Sequence, residues 1–144
     1  MNAITAREEV VAARLRVLPG AMERLAALGD RAKRLPAPQA GERIEANLVR
    51  GCVSRVWLTG ECAEGIVRFR ADADSAMVKG LVTLVWEIAD GQMVGDLGAA
   101  PDEPPIVHLL GLDAHLSPTR LHGLGQVWRR MREIARSASV EKEF

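Results

Sequence analysis

A cysteine, Cys52, stands where the sequence pattern changes from helical to strand-like. It lies in the run Gly51-Cys52-Val53-Ser54-Arg55-Val56-Trp57, just before a predicted strand, and the glycine before it allows a tight turn. A nucleophile on a loop held by a hairpin is fixed by the scaffold and stays within reach of a partner. Its thiolate could attack the outer sulfur of a persulfide and release the donor's thiolate. The alternative is a buried structural cysteine, because free cysteine is among the most buried residue types.

Two cations lie close to Cys52 in the sequence and could change the pKa of its thiol. Arg50 and Arg55 flank the cysteine, and a guanidinium near a thiol favours the thiolate and lowers the thiol pKa. Arg55 could equally lie on the solvent face of the hairpin or meet the surface of a partner. The sequence leaves these alternatives open.

The second cysteine has no comparable setting. Cys62 follows Cys52 by ten positions, a spacing that matches no zinc motif. We predict Cys62 in the turn Glu61–Gly65 of the hairpin, without a function. Because the cysteines do not have the spacing of ligands, we expect no metal and no cofactor.

The three histidines do not indicate a metal site either. His108, His115 and His122 are seven positions apart, but Pro118 interrupts any single helix through them. A shared metal-binding face is therefore not expected, and we expect His115 to bond backbone near the start of the last helix.

Composition excludes several classes of protein. The 144 residues are predicted to form one domain, residues 1–144, with 48% apolar and 26% charged residues. Lysine plus arginine and aspartate plus glutamate number 19 each, which argues against a nucleic-acid-binding protein. The N-terminus does not have the pattern of a signal peptide, and the most apolar stretch is too short to span a membrane. We therefore expect a cytoplasmic protein with reduced thiols.

Hydrophobic spacing predicts an α+β fold in which helices pack on a small antiparallel β-sheet. Residues 48–72 change to an alternating pattern, with Val67, Phe69 and Ala71 on one face, which predicts a hairpin. Residues 76–89 are apolar on nearly all sides, which indicates the central buried helix.

Helix ends are predicted from capping residues. Thr5 and Glu8 have the spacing of a capping box, Asp74 or Ser75 can cap the central helix, and Ser117 can cap the last. The other helices are predicted over about 5–17, 21–33, 106–110 and 118–137.

The last helix combines small residues with a basic run. Gly123 and Gly125 each cost it roughly 1 kcal/mol relative to alanine, so we expect close packing there. The basic run is interpreted as a solvated face near a helix C-terminus, where cations are favoured. It consists of Arg129, Arg130, Arg132 and Arg136.

The segment around Cys52 resembles the active-site segment of the SufE family, the sulfur acceptors that partner cysteine desulfurases. Three further stretches agree with that family in order and spacing, and the resemblance covers about residues 15–137. They are Leu28-Gly29 with Leu35-Pro36, Ala73-Asp74-Ser75-Ala76-Met77-Val78-Lys79-Gly80-Leu81, and Leu110-Gly111-Leu112-Asp113-Ala114-His115-Leu116-Ser117-Pro118-Thr119-Arg120.

The resemblance implies a sulfur carrier without a catalytic activity of its own. A pyridoxal-phosphate-dependent cysteine desulfurase would pass persulfide sulfur to Cys52, and an iron–sulfur cluster scaffold protein would receive it. Removing sulfur from the desulfurase would speed its turnover. In the family the cysteine loop is sheltered at rest and moves outward on docking. Self-association into a homodimer is left open.

Further site residues are taken from the same resemblance. Asp74 and Arg120 match family positions near the cysteine loop and are interpreted as supports or contacts, not as acid–base catalysts. Val53 and Arg55 depart from the family, which usually has glutamines there, and this bears on the choice of partner.

Three other functions remain as alternatives. An iron–sulfur scaffold would need several cysteine ligands. A cysteine hydrolase would need a base within reach of the thiol, for which His115 is the candidate. A sulfur acceptor could also serve a stand-alone desulfurase in another sulfur-trafficking pathway, and the sequence does not separate this from cluster assembly.

Overall fold

The elements follow the predicted order of helices, hairpin and helices. The computed structural model describes residues 2–104 and 106–142. Three short 3-10 turns lie between the longer elements, at Ala32–Arg34, Glu45–Asn47 and Asp113–His115. The helices and strands are α1 (Ala3–Arg16), α2 (Ala21–Arg31), β1 (Val56–Ala63), β2 (Ile66–Ala73), α3 (Ala76–Ala89), α4 (Val94–Gly98), α5 (Ile106–Leu109) and α6 (Pro118–Lys142).

Strands β1 and β2 form an antiparallel hairpin whose inner face belongs to the core. Val56 pairs with Ala73 at the open end and Ala63 pairs with Ile66 at the turn. Alternate residues are buried, as the sequence predicts: Val56, Leu58, Val67, Phe69 and Ala71. Helix α3 packs against β2 and α6 packs against β1, which confirms the predicted α+β fold.

The hairpin turn is shorter than predicted. Glu64 and Gly65 both have positive φ, 55° and 81°, as a two-residue type I′ turn requires. The predicted turn from Glu61 was therefore wrong, because the strands continue to this tight turn. Cys62 lies within β1 opposite Val67, and its side chain is exposed.

Helix α3 is the buried helix that the sequence predicts, with the predicted bounds. The Ser75 hydroxyl caps it by accepting the amide proton of Val78 at 3.4 Å. Most of its length from Gly80 to Ala89 is buried, and it contacts α1, α2, α6 and β2. Within the described residues, no helix is both long enough and apolar enough to cross a membrane.

The start of α1 corrects the predicted capping box. The helix begins one turn earlier, because the Asn2 side chain accepts the amide proton of Thr5 at 2.8 Å, and asparagine caps helices better than threonine. Glu8 does not reach back to the helix start. It is 3% exposed against the core, and burial raises its pKa to about 7, opposed by a backbone hydrogen bond from Ile106.

Helices α4 and α6 also differ from the expectation drawn from the sequence. Helix α4 was not predicted, since two of its five residues are glycines; it is held by burial of Val94 and Leu97 and by contact with α6. Helix α6 extends five residues past the predicted end at Ser137.

The basic run on α6 is not uniformly solvated. Arg132 is 4% exposed; its guanidinium donates to the Asp102 carboxylate at 2.6 Å and to the Gly98 carbonyl at 3.2 Å. Arg136 also donates to the Gly98 carbonyl, at 2.9 Å. These arginines fasten α6 to the end of α4, so the prediction of a wholly solvated face was wrong.

Candidate functional site

The segment of residues 50–55, here called the Cys52 loop, is tied at its base. The amide of Val49 donates to the Val56 carbonyl at 2.9 Å, across the two ends of the loop. On the other side, Arg55 and Asp74 are joined twice: the Asp74 amide donates to the Arg55 carbonyl and the Arg55 amide donates to the Asp74 carboxylate, both at 3.1 Å. These hydrogen bonds fix both ends of the loop beside the hairpin.

Gly51 gives the loop its turn. Its φ is +87°, a conformation that costs residues with a Cβ atom but not glycine. A Cβ atom there would also lie 3.0 Å from the Gln126 side chain on α6. Both the turn and the close approach to α6 require glycine at this position.

The thiol of Cys52 points inward, toward α6. Its Sγ donates a hydrogen bond to the backbone carbonyl of Gly123 at 3.3 Å, and the residue is partly buried against the core. Burial raises the pKa of the Cys52 thiol, because the thiolate loses hydration there. In this position the thiol is held protonated, which is the unreactive form.

A cavity of about 410 Å³ adjoins the Cys52 loop between α3 and α6. Its inner wall is apolar and its rim carries hydroxyl groups and one cation. The wall consists of Val78, Leu81, Val82, Leu124 and Val127, and the rim of Ser54, Ser117, Thr119 and Arg120. The arrangement places Cys52 between an apolar wall and a polar rim.

The structure brings some of the predicted site residues together. Arg120 lines the same cavity as Cys52, and Asp74 anchors the far end of the Cys52 loop. His115 lies in a 3-10 turn, where its amide donates to the Leu112 carbonyl at 2.9 Å, and it is not among the residues that line the cavity.

Arg55 does not lower the pKa of the thiol in this conformation. The side chain of Arg55 is exposed, and the pKa of Cys52 is raised, with burial as its cause. The resting structure therefore favours the second alternative, in which Arg55 lies on the solvent side of the loop or meets a partner. The side chains of Arg50 and Arg55 instead face solvent on either side of Val53, which is 84% exposed.

The second cysteine lies away from this site. Six steps along β1 separate Cys62 from Val56, which is about 20 Å in a strand. Among residues 2–104 and 106–142, no group of three or more His, Cys, Asp or Glu side chains could hold a metal ion.

The contact with Gly123 is the part of the site that sequence reasoning did not identify. Gly123 is 71 positions from Cys52, and its backbone, not a side chain, makes the hydrogen bond. In the sequence, a glycine inside a predicted helix indicated close packing at Gly123, but it did not indicate that Cys52 makes the contact.

Two comparisons with known proteins found similarity, one to a sequence family and one to a solved structure. A family model described as SufE, an Fe-S metabolism associated domain, matches residues 9–135. The solution structure of a hypothetical protein from Thermus thermophilus is similar to this chain with a TM-score of 0.77 at 22% sequence identity. That similarity covers 93% of this chain and 96% of the other, and it concerns the fold.

Proposed function

The chain belongs to the SufE family of Fe–S metabolism, and on this basis we propose that Cys52 accepts persulfide sulfur from a cysteine desulfurase. The sulfur is then passed to a scaffold protein for iron–sulfur cluster assembly in the cytoplasm. The observation that supports the proposal best is the position of Cys52: a thiol on a loop tied at its base, beside an apolar cavity.

The transfer is an exchange between thiolate and persulfide. The Cys52 thiolate attacks the terminal sulfur of the donor's persulfide, and a new S–S bond forms at Sγ. The bond between that sulfur and the donor cysteine breaks, and the donor leaves as a thiolate. The proton lost by Cys52 before the attack balances the proton that the donor thiolate takes up. No electrons are gained or lost overall.

The resting position of Cys52 makes this reaction conditional on docking. Burial and the carbonyl of Gly123 both favour the protonated thiol. Outward movement of the loop would return the sulfur to water, and the thiol pKa would fall toward that of a free cysteine, about 8.5. A partner that draws the loop out therefore also increases the thiolate fraction, whereas the free protein stays unreactive.

The exposed surface of the loop is suited to such a partner. Val53 offers an apolar contact next to the nucleophile, and Arg50 and Arg55 offer cations on either side. We propose that this surface meets an apolar site flanked by carboxylates on the desulfurase. The same geometry would serve a stand-alone desulfurase of another sulfur-trafficking pathway equally well.

The other two candidate functions have less support. A hydrolase needs a base beside the thiol, and the polar atom that contacts Cys52 is a backbone carbonyl, which cannot take a proton from it. A cluster scaffold needs several thiolate ligands, whereas Cys62 lies on a distant strand position.

The proposal is tested by sulfur loading. The protein is incubated with a pyridoxal-phosphate-dependent cysteine desulfurase and L-cysteine, and intact-mass spectrometry follows the addition of sulfur. We expect reducible sulfur on the wild type and on Cys62→Ser, and none on Cys52→Ser. Equal sulfur on Cys52→Ser would show that another group is the acceptor.

A further inference from the structure

Helix α6 has a glycine, Gly123, where it contacts the Cys52 loop, so its backbone is not covered by a side chain there. Gly123 is buried in the second turn of this helix, where glycine is less favourable than alanine. Because glycine lowers the stability of the helix, we expect a packing contact that requires it.

The reason lies in the distances to Cys52. A Cβ atom on Gly123 would lie 3.5 Å from Sγ, 3.8 Å from Cα and 3.9 Å from Cβ of Cys52. The Gly123 carbonyl accepts the thiol proton at 3.3 Å, and a carbonyl has a second lone pair for such a bond besides the helical one. A methyl group fits this space at ordinary contact, whereas a larger side chain would occupy the place of the cysteine.

We propose that Gly123 is a positioning residue for sulfur transfer: its backbone, which carries no side chain, forms the resting place, or seat, of the Cys52 thiol. The inference rests on the proposed function for its biological meaning. The seat itself is a property of the isolated protein and can be tested without a desulfurase.

Gly125, on the same helix, provides a matched control. It is also buried, but a Cβ atom there would meet only the Arg129 guanidinium, at 3.6 Å, and not the Cys52 loop. Valine at either position disfavours the helix in the same way, so a difference between the two variants reports the contact with Cys52.

The experiment measures alkylation of Cys52 by iodoacetamide in the isolated protein, with the exposed Cys62 as internal reference and peptide mass spectrometry as the readout. In Gly123→Val the Cys52 rate should rise about five-fold, as loss of one hydrogen bond predicts, and the pH midpoint of the reaction should fall. Gly123→Ala and Gly125→Val should stay within about two-fold of the wild type, because alanine fits and Gly125 does not touch the loop.

Two results would overturn the inference: an unchanged Cys52 rate in a folded Gly123→Val, or an equal rise in Gly125→Val. If circular dichroism shows that Gly123→Val is unfolded, hydrogen exchange of Cys52→Ala decides instead. Loss of the thiol from its seat should speed exchange of the Arg55 amide, which donates to the Asp74 carboxylate at the end of the loop, about five-fold, and no change there would refute the seat. Failure of the proposed function looks different, since wild-type protein would then take up no sulfur whatever the alkylation rates.

Discussion

The two cysteines of this protein are placed in opposite ways. Cys62 is exposed near the turn end of a paired strand, opposite Val67. Cys52 is partly buried on a loop, with its thiol hydrogen-bonded to a helix backbone. A strand residue cannot move without breaking the pairs of its neighbours, whereas the backbone hydrogen bonds described for the Cys52 loop lie at its base and its thiol is held by one further bond. The comparison suggests that a carrier thiol needs a position that it can leave, and that exposure at rest is not what distinguishes it.

The largest expected effect concerns the turnover of the desulfurase. Wild-type protein and Cys62→Ser should both accelerate it, because they remove the persulfide that blocks the next cycle, whereas Cys52→Ser should give no acceleration. The measurement is the rate of alanine formation from L-cysteine across a titration to saturation. Acceleration by Cys52→Ser equal to that of the wild type would remove the distinction between the two cysteines.

A second prediction concerns the free protein at rest. Cys62 should react with iodoacetamide about ten-fold faster than Cys52 near neutral pH, since Cys52 is sheltered and its thiol is held protonated. In concentrated urea the two rates should become nearly equal. Equal rates in the folded protein would show that the Cys52 loop is already open.

The third prediction is the pH dependence that follows from burial. Because the pKa of Cys52 is raised in the folded state, its alkylation midpoint should lie above that of a free thiol and fall when urea unfolds the protein. The unfolded chain releases the proton at lower pH, so the free energy of unfolding should decline as pH rises past about 8.5. Chemical denaturation of Cys52→Ser should show a smaller decline than the wild type. A midpoint in the folded protein below that of the unfolded one would contradict the sheltered thiol.

The smallest expected effect is the change in desulfurase binding when the charge of Arg55, at the end of the Cys52 loop, is removed. Arg55→Gln should weaken binding to the desulfurase about three-fold at low salt, as expected for one exposed charge, and leave the Cys52 midpoint where it was. Arg14→Gln removes an equally exposed charge from α1 and should leave binding unchanged. Titration calorimetry at two salt concentrations measures both variants. A shifted midpoint with unchanged binding would show instead that Arg55 changes the thiol pKa.

The fold could be predicted where one pattern dominates. Alternation determined the hairpin faces. Apolar residues on nearly all sides of α3, with Ser75 before it, determined that helix to the residue. The errors occur where two local signals compete. Asn2 and Thr5 are both acceptable caps, and the tight turn at Glu64 and Gly65 lies inside a longer polar stretch that equally resembles a loop.

The site could be predicted only in part, for a different reason. Cys52 was identifiable from its local segment. Gly51 was identifiable because a tight turn was expected just before Cys52. Contacts that span the chain, such as Cys52 with Gly123 or Arg132 with Asp102, leave no local pattern. The direction of a long side chain such as that of Arg55 depends on packing as well, so the sequence could not choose between the thiol and the solvent.

The cavity beside Cys52 would allow a synthetic ligand to distinguish this residue from Cys62. A weak electrophile that carries a small apolar group could dock in its roughly 410 Å³ before it reacts. Reversible binding would raise the local concentration of the reagent at Cys52, while Cys62 would meet it only from solution. The fit of the ligand in the cavity could in this way make Cys52 react faster than Cys62. A labelled compound of this kind would report how much of the protein is in the resting state inside living cells.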